Sequence, residues 1–132
     1  MSAVLDTHTV LWYLEDSNEL SPTARTTIED AVRDGREVHV STISVIETIY
    51  LVERKRLPAT ALYRLREALT DPSAVLSIVP LDLPVANALE SIPRNVVPDM
   101  PDRIIAATAL HLGVPLITRD RRLQAAGIHT IW

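Results

Sequence analysis

Short apolar runs alternate with longer amphipathic stretches from one end of the chain to the other. AVL at 3–5 reads as a short buried strand, and the next segment recurs at helical spacing through Val10, Leu11 and Leu14. Ser21-Pro22 has the form of an N-cap with proline at the first helical position, and Gly35 suits a stop after Asp34. VHVS at 38–41 alternates as a strand, and ISVIETIYLVERKR then runs as a helix to Leu57-Pro58. A helix over about 60–70 leads through Asp71-Pro72 to the strand SIVPL at 77–81. Residues 84–91 predict a short helix, 93–98 an irregular loop, and 100–112 a helix of small and apolar residues ending at Gly113. PLIT at 115–118 reads as a strand, 121–126 as a short helix, and IHTIW as a last strand. Strands alternating with helices throughout predict one α/β domain over 1–132, with a central, mostly parallel sheet.

Four acids fall where such a fold collects ligands. In open sheets of this kind the binding crevice lies beyond the carboxyl ends of the strands. Asp6 and Asp120 immediately follow strand ends, and Glu47 and Asp102 lie within about a turn of the starts of helices at the same edge. A pocket holding four carboxylates and no lysine is costly to ionise unless divalent cations occupy it. Mg²⁺ takes oxygen ligands, keeps several waters, and binds through a few carboxylates plus substrate phosphate. One or two such ions activate water and stabilise the leaving oxygen of a phosphodiester. The set therefore points to metal-dependent phosphodiester hydrolysis.

Each acid also has a purely structural reading. Asp6 and Asp120 suit the caps of the helices they precede, and Asp99 and Asp102 suit a cap and a first-turn acid. Asp102, however, shares a helical stripe with Ile105, Ala106 and Ala109, which aims it inward over the strand ends. Glu47 borders a polar stripe of Ser44, Thr48 and Lys55, so the wheel reads it as a solvated glutamate. The rest of its helix, including Ile43, Ile46, Ile49 and Tyr50, is apolar over an arc wide enough to serve a subunit interface. Thr7, Ser44 and Thr118 offer hydroxyls close to the acids, suited to contacts behind the ligands.

Composition narrows the alternatives. The chain has 132 residues, 47% hydrophobic and 23% charged, an ordinary globular balance. It has no cysteine, which excludes disulfides and thiolate zinc and fits a reducing cytoplasm. MSAVLDT lacks the basic and apolar regions of a signal peptide, and no run approaches the roughly 20 apolar residues of a membrane helix. The net charge of −4 does not suggest generic nucleic-acid binding, yet basic residues cluster at Arg54-Lys55-Arg56 and at Arg119 with Arg121-Arg122. Arg119 and Arg54 are the candidates for backbone contacts, beside the plain alternative that these are solvated helix ends. The four histidines form no ligand pattern: His39 and His129 fall in strands and His111 in a last helical turn, while His8 lies nearer the pocket, where it reads as a packed first-turn residue or as a substrate contact. A Gly-x-Ser-x-Gly elbow and a glycine-rich phosphate loop are both absent. An aspartyl-phosphate phosphatase would want a second Asp two residues after Asp6, where His8 stands.

The segments VLDTHTVLWYLED, VSTISVIETIYLVERKRL, VPDMPDRIIAATAL and VPLITRDRRL, with the closing TIW, resemble the PIN-domain ribonucleases, and among them the VapC toxin branch of toxin–antitoxin pairs. The resemblance spans nearly the whole chain in the same order. It implies a Rossmann-like, three-layer PIN fold in which Asp6, Glu47, Asp102 and Asp120 match the family's acidic positions and Asp99 an accessory acid. It also implies dependence on Mg²⁺ or Mn²⁺, endonucleolytic cleavage of RNA, a homodimer, and a cognate VapB-like antitoxin whose tail enters the site. One departure is visible: many relatives carry a histidine and an Asp-Pro pair before the third acid, where this chain has RNVVPDMPDR. Two other readings share these residues. One is a PIN nuclease outside a toxin pair, acting in RNA processing or on DNA; the other is a non-catalytic binding module on the same fold.

Overall fold

The computed structural model describes residues 2–132. Five strands, β1 (Ala3–Leu5), β2 (Val38–Ser41), β3 (Leu76–Val79), β4 (Leu116–Ile117) and β5 (Thr130–Ile131), form one sheet in the order β3-β2-β1-β4-β5. Every neighbouring pair is parallel, so the sheet is parallel throughout, beyond the expected majority. The chain moves outward from β1 to β2 and β3, then crosses to the other side of β1 for β4 and β5. That reversal opens a crevice at the carboxyl ends of β1 and β4.

Alternation along the strands builds two cores. Ala3 and Leu5 of β1, Val38 and Val40 of β2 and Ile117 of β4 pack on one face, with Val10 of α1 (Thr7–Leu14), Ile28 of α2 (Pro22–Arg33) and Leu65 of α4 (Ala59–Thr70). Val4 and Leu116 turn to the other face, against Val85 of α5 (Leu83–Ala88), Ile105 and Ala109 of α6 (Met100–Leu112) and Leu123 of α7 (Arg121–Gln124). The helix α3 (Thr42–Glu53) serves both cores, with Ile43 on the second and Val45 on the first. Among the described residues no helix is long and apolar enough to cross a membrane.

Local chemistry sets the boundaries. The Ser21 hydroxyl accepts from Ala24 N at 3.0 Å to start α2, with Pro22 at the first helical position. Gly113 closes α6 at φ 67°, a left-handed conformation that strains any residue with a Cβ. Complete burial of Ile105 fixes the rotation of α6; truncating such a side chain to alanine costs about 2–5 kcal/mol. Several boundaries differ from expectation: β4 keeps only Leu116–Ile117 of 115–118, and α7 stops at Gln124, short of 126. The third helix stops at Glu53 because Lys55 turns left-handed at φ 59°, leaving Arg54 to Arg56 outside it. The third strand ends at Val79, before Pro80, which has no N–H to offer a ladder. The 84–91 helix runs from Leu83 to Ala88 and tightens into a 3₁₀ turn over Leu89–Ser91. His129 precedes β5 and is exposed, so it is not a strand residue.

Candidate active site

Asp6 leaves β1 and caps α1, with Oδ1 accepting from Thr9 N at 2.9 Å. Its Oδ2 accepts from the Thr118 hydroxyl, and Thr118 Oγ1 in turn accepts from Asp120 N at 3.0 Å. One buried threonine thus ties the end of β4 to the acid at the end of β1. Asp120 caps α7, accepting from Arg122 N at 2.8 Å. Asp99 caps α6, accepting from Asp102 N at 3.2 Å. The structural readings of Asp6, Asp99 and Asp120 therefore hold, and they do not compete with a chemical role. A carboxylate has about four acceptor sites, and a cap uses one or two.

Glu47 departs from its wheel reading. The stripe of Ser44 and Thr48 is fully buried, and the apolar residues Ile46 and Tyr50 stand 43% and 54% exposed. The polar side of α3 is the inner one. Thr7 Oγ1 lies 2.6 Å from Glu47 Oε1 and 2.9 Å from Ser44 Oγ. A hydroxyl carries one proton, so Thr7 donates to the carboxylate and accepts from Ser44. Glu47 is consequently half-buried and oriented, with no solvated face to explain it.

Asp6, Glu47, Asp99, Asp102 and Asp120 line one cavity of about 380 Å³, joined by Thr7, His8, Trp12 and Arg119. Ser44 and Thr118 stand behind this wall, fully buried. Asp102 has its pKa pushed up to about 7, first by burial and then by the Asp99, Asp120, Glu47 and Asp6 carboxylates. Glu47 is also raised, chiefly by burial, against the stabilising hydrogen bond from Thr7. The cavity thus concentrates negative charge that the chain itself does not neutralise.

That donor set is all oxygen, the chemistry of Mg²⁺ or Mn²⁺. Among the described residues no three His, Asp or Glu side chains close around one point as ready metal ligands. An open basin of carboxylates fits an ion that retains water and shares ligands with a phosphate, and it does not fit a fully protein-caged one.

The two candidate arginines separate. Arg119 lies at the acidic cavity, its guanidinium 4.5 Å from the Trp12 ring centroid and Nη1 2.6 Å from Glu19 Oε2. Arg54 lies instead in a neighbouring hollow of about 370 Å³, beside Tyr50, Ile46 and Met100. It meets the acids only where that hollow borders Glu47 and Asp99. His8 is exposed at the cavity wall, 5.5 Å from the Trp12 ring, and is not the packed residue its position suggested. Sequence reasoning passed over Trp12. It also passed over Arg103, whose guanidinium holds the carbonyls of Leu89 and Ile92 and so braces the segment leading to α6. The position of Arg103, one residue after an inward-facing acid, was the available signal.

The sequence signature of the PIN domain matches residues 3–128. Ribonuclease VapC22 of Mycobacterium tuberculosis is 31% identical over 125 residues, covering 94% of this chain and 91% of its own length. VapBC2 from Rickettsia felis, bound to a DNA fragment from its promoter, superposes with a TM-score of 0.72 at 15% identity, over 98% of this chain and 97% of that one. DNA-bound VapBC from Salmonella typhimurium gives 0.71 at 20% identity, over 98% and 96%.

Proposed function

Because the chain belongs to the PIN-domain family, we propose that it is a metal-dependent endoribonuclease, the toxin of a VapBC-type pair. The observation that carries this reading is the single cavity in which Asp6, Glu47, Asp102 and Asp120 meet, with Asp102 raised to about 7. A bound Mg²⁺ or Mn²⁺ would supply an activated water and neutralise charge on the scissile phosphate. The chain's own part is positional. Thr9 N and Thr118 fix Asp6, Thr7 fixes Glu47, and the burial of α6 aims Asp102. Preorganised ligands of this kind need no rearrangement as the reaction proceeds. Arg119, at the mouth, is a cation within reach of the flanking phosphates.

Two partners belong to the proposal. The similarity to VapC22 and to VapBC assemblies supports a VapB-like antitoxin. An arginine from its tail would suit the same acids, since a guanidinium satisfies paired carboxylates bidentately. A second copy of the chain would cover Ile46, Tyr50 and Met100, the last 64% exposed, on the outer side of α3 and the start of α6. The protein would act in the cytoplasm, where its RNA lies.

Purified protein, free of antitoxin, should cut total cellular RNA into discrete fragments with Mg²⁺ or Mn²⁺. EDTA, Asp6→Ala and Asp102→Ala should each abolish the cleavage in folded protein. Cleavage that survives both substitutions would refute the carboxylate assignment. Silence of the folded, metal-loaded protein would refute the nuclease.

A further inference from the structure

The acidic cavity has a second wall that phosphate chemistry does not use. Besides the acids, the rings of His8 and Trp12 line the cavity. His8 projects from the first turn of α1, directly after Asp6 and Thr7, and its ring is exposed. Trp12 follows one turn later on the same helical face, only partly buried, with the His8 ring 5.5 Å away. Trp132 packs at 6.0 Å from Trp12 and does not line the cavity, so it buttresses the indole from outside. Arg119 holds the indole at 4.5 Å while Glu19 anchors one of its terminal nitrogens.

This wall is more than a residual core. Trp12 packs in part against the first core, yet it and the exposed His8 also line the cavity. Aromatic faces and a guanidinium plane together are what unpaired nucleobases stack on. Asp6 caps α1 and His8 lies in its first turn, and both line the same cavity. A nucleotide whose phosphate met Asp6 would have its base within reach of His8 and Trp12.

Resting on the nuclease reading above, we propose that His8 and Trp12, with Arg119, form a stacking subsite for an unpaired nucleobase next to the scissile phosphate. The subsite selects single-stranded segments, because a base paired within a duplex cannot offer its face. Stacking is tolerant of base identity, so the wall positions the strand and adds affinity without reading a sequence.

The chain has two tryptophans, Trp12 and Trp132, so Trp132→Phe leaves Trp12 as the only indole reporter. In a Trp132→Phe/Asp102→Asn protein, which lacks one of the cavity's carboxylates, a short single-stranded RNA should quench Trp12 fluorescence. An abasic oligonucleotide of equal length and charge should quench far less and bind about tenfold more weakly. In the otherwise native enzyme, Trp12→Ala should raise KM about tenfold with little change in kcat, and Trp12→Phe should recover most of the loss. No difference between the base-bearing and abasic strands, in quenching or in affinity, would overturn the subsite. So would an unchanged KM in folded Trp12→Ala. Wild-type cleavage of RNA, lost in Asp6→Ala, reads the nuclease separately: if it persists while the abasic strand binds equally well, only the subsite falls.

Discussion

Thr7 Oγ1 and Glu47 Oε1 lie 2.6 Å apart across the gap between the first and third helices. The contact joins segments separated by 40 residues and turns a glutamate on an apolar helix toward the acids. Ser44 completes it from behind. Thr7→Val keeps the shape of the side chain and removes both hydrogen bonds. It should cost about 1–3 kcal/mol of stability, read by denaturant unfolding, because Ser44 and Glu47 lose their partner in a buried place. Cleavage should fall by about 10–100-fold, the usual effect of losing a group that orients a metal ligand. Thr7→Ser should recover most of both; equal loss in Thr7→Ser would mean the methyl matters and the hydroxyl does not.

The strand–helix alternation was legible because short buried strands and capped helices leave clear marks: AVL and VHVS, Ser21-Pro22, and Gly113 sit in the structure where the pattern places them. The acids at strand ends were legible for the same reason, since topology supplies their convergence. Glu47 was not. A helical wheel assigns inside to the apolar side, but α3 packs its Ser44 and Thr48 inward and leaves Ile46 and Tyr50 out. Trp12 escaped notice because an aromatic at helical spacing looks like core until a neighbouring cavity is seen.

Asp102 makes the metal-free protein sensitive to pH. Its folded pKa is about 7 against 3.8 for an ordinary aspartate, so the native state binds more protons than the unfolded one between those values. Stability should therefore be greatest below about pH 4 as far as this group is concerned, decline as pH rises, and level off above about 7. Asp102 is only partly buried, and screening reduces the effect to about 1–2 kcal/mol. Thermal unfolding in EDTA at several pH values should show this slope, and Asp102→Asn should reduce it, leaving the smaller contribution of Glu47. An identical pH dependence in wild type and Asp102→Asn would contradict the assignment.

Metal should reverse that penalty. Mg²⁺ requires the deprotonated carboxylate, so its affinity should increase as pH rises toward and past about 7. At ten times its Kd, the ion stabilises the folded state by about 1.4 kcal/mol, a rise in Tm of about 4 °C for a domain of this size. Asp6→Ala and Asp102→Asn should show a much smaller rise. A Tm indifferent to Mg²⁺ and Mn²⁺ in the wild type would remove the hard-cation site.

His39 carries the opposite sign. It lies in β2 with Nδ1 buried and unpaired, and burial lowers its pKa below 6.5 in spite of Glu37 nearby. The unfolded chain then takes up a proton that the native state resists, so stability is retained above about 6.5 and lost as pH falls through it. His39→Val should suit a strand position, remove the unpaired acceptor, and gain about 1 kcal/mol near pH 5 relative to wild type. At pH 8 the difference should shrink. A variant less stable than wild type at pH 5 would show that the imidazole makes a packing contribution that outweighs its burial.

The outer side of the third helix gives the last prediction. Ile46, Tyr50 and Met100 are 43%, 54% and 64% exposed around a hollow of about 370 Å³ bordered by Glu47 and Asp99. Exposed apolar side chains gathered at one hollow mark an association surface. If a second copy covers it, Ile46→Asp or Tyr50→Glu buries a charge in the interface and should convert a dimer to a monomer in light scattering at micromolar concentration. Neither residue lies in the acidic cavity, so folding of the monomer should persist, as circular dichroism would show. Dimerisation unchanged by both substitutions would place the contact elsewhere, and a wild-type monomer at the same concentration would leave the hollow without a second copy to cover it.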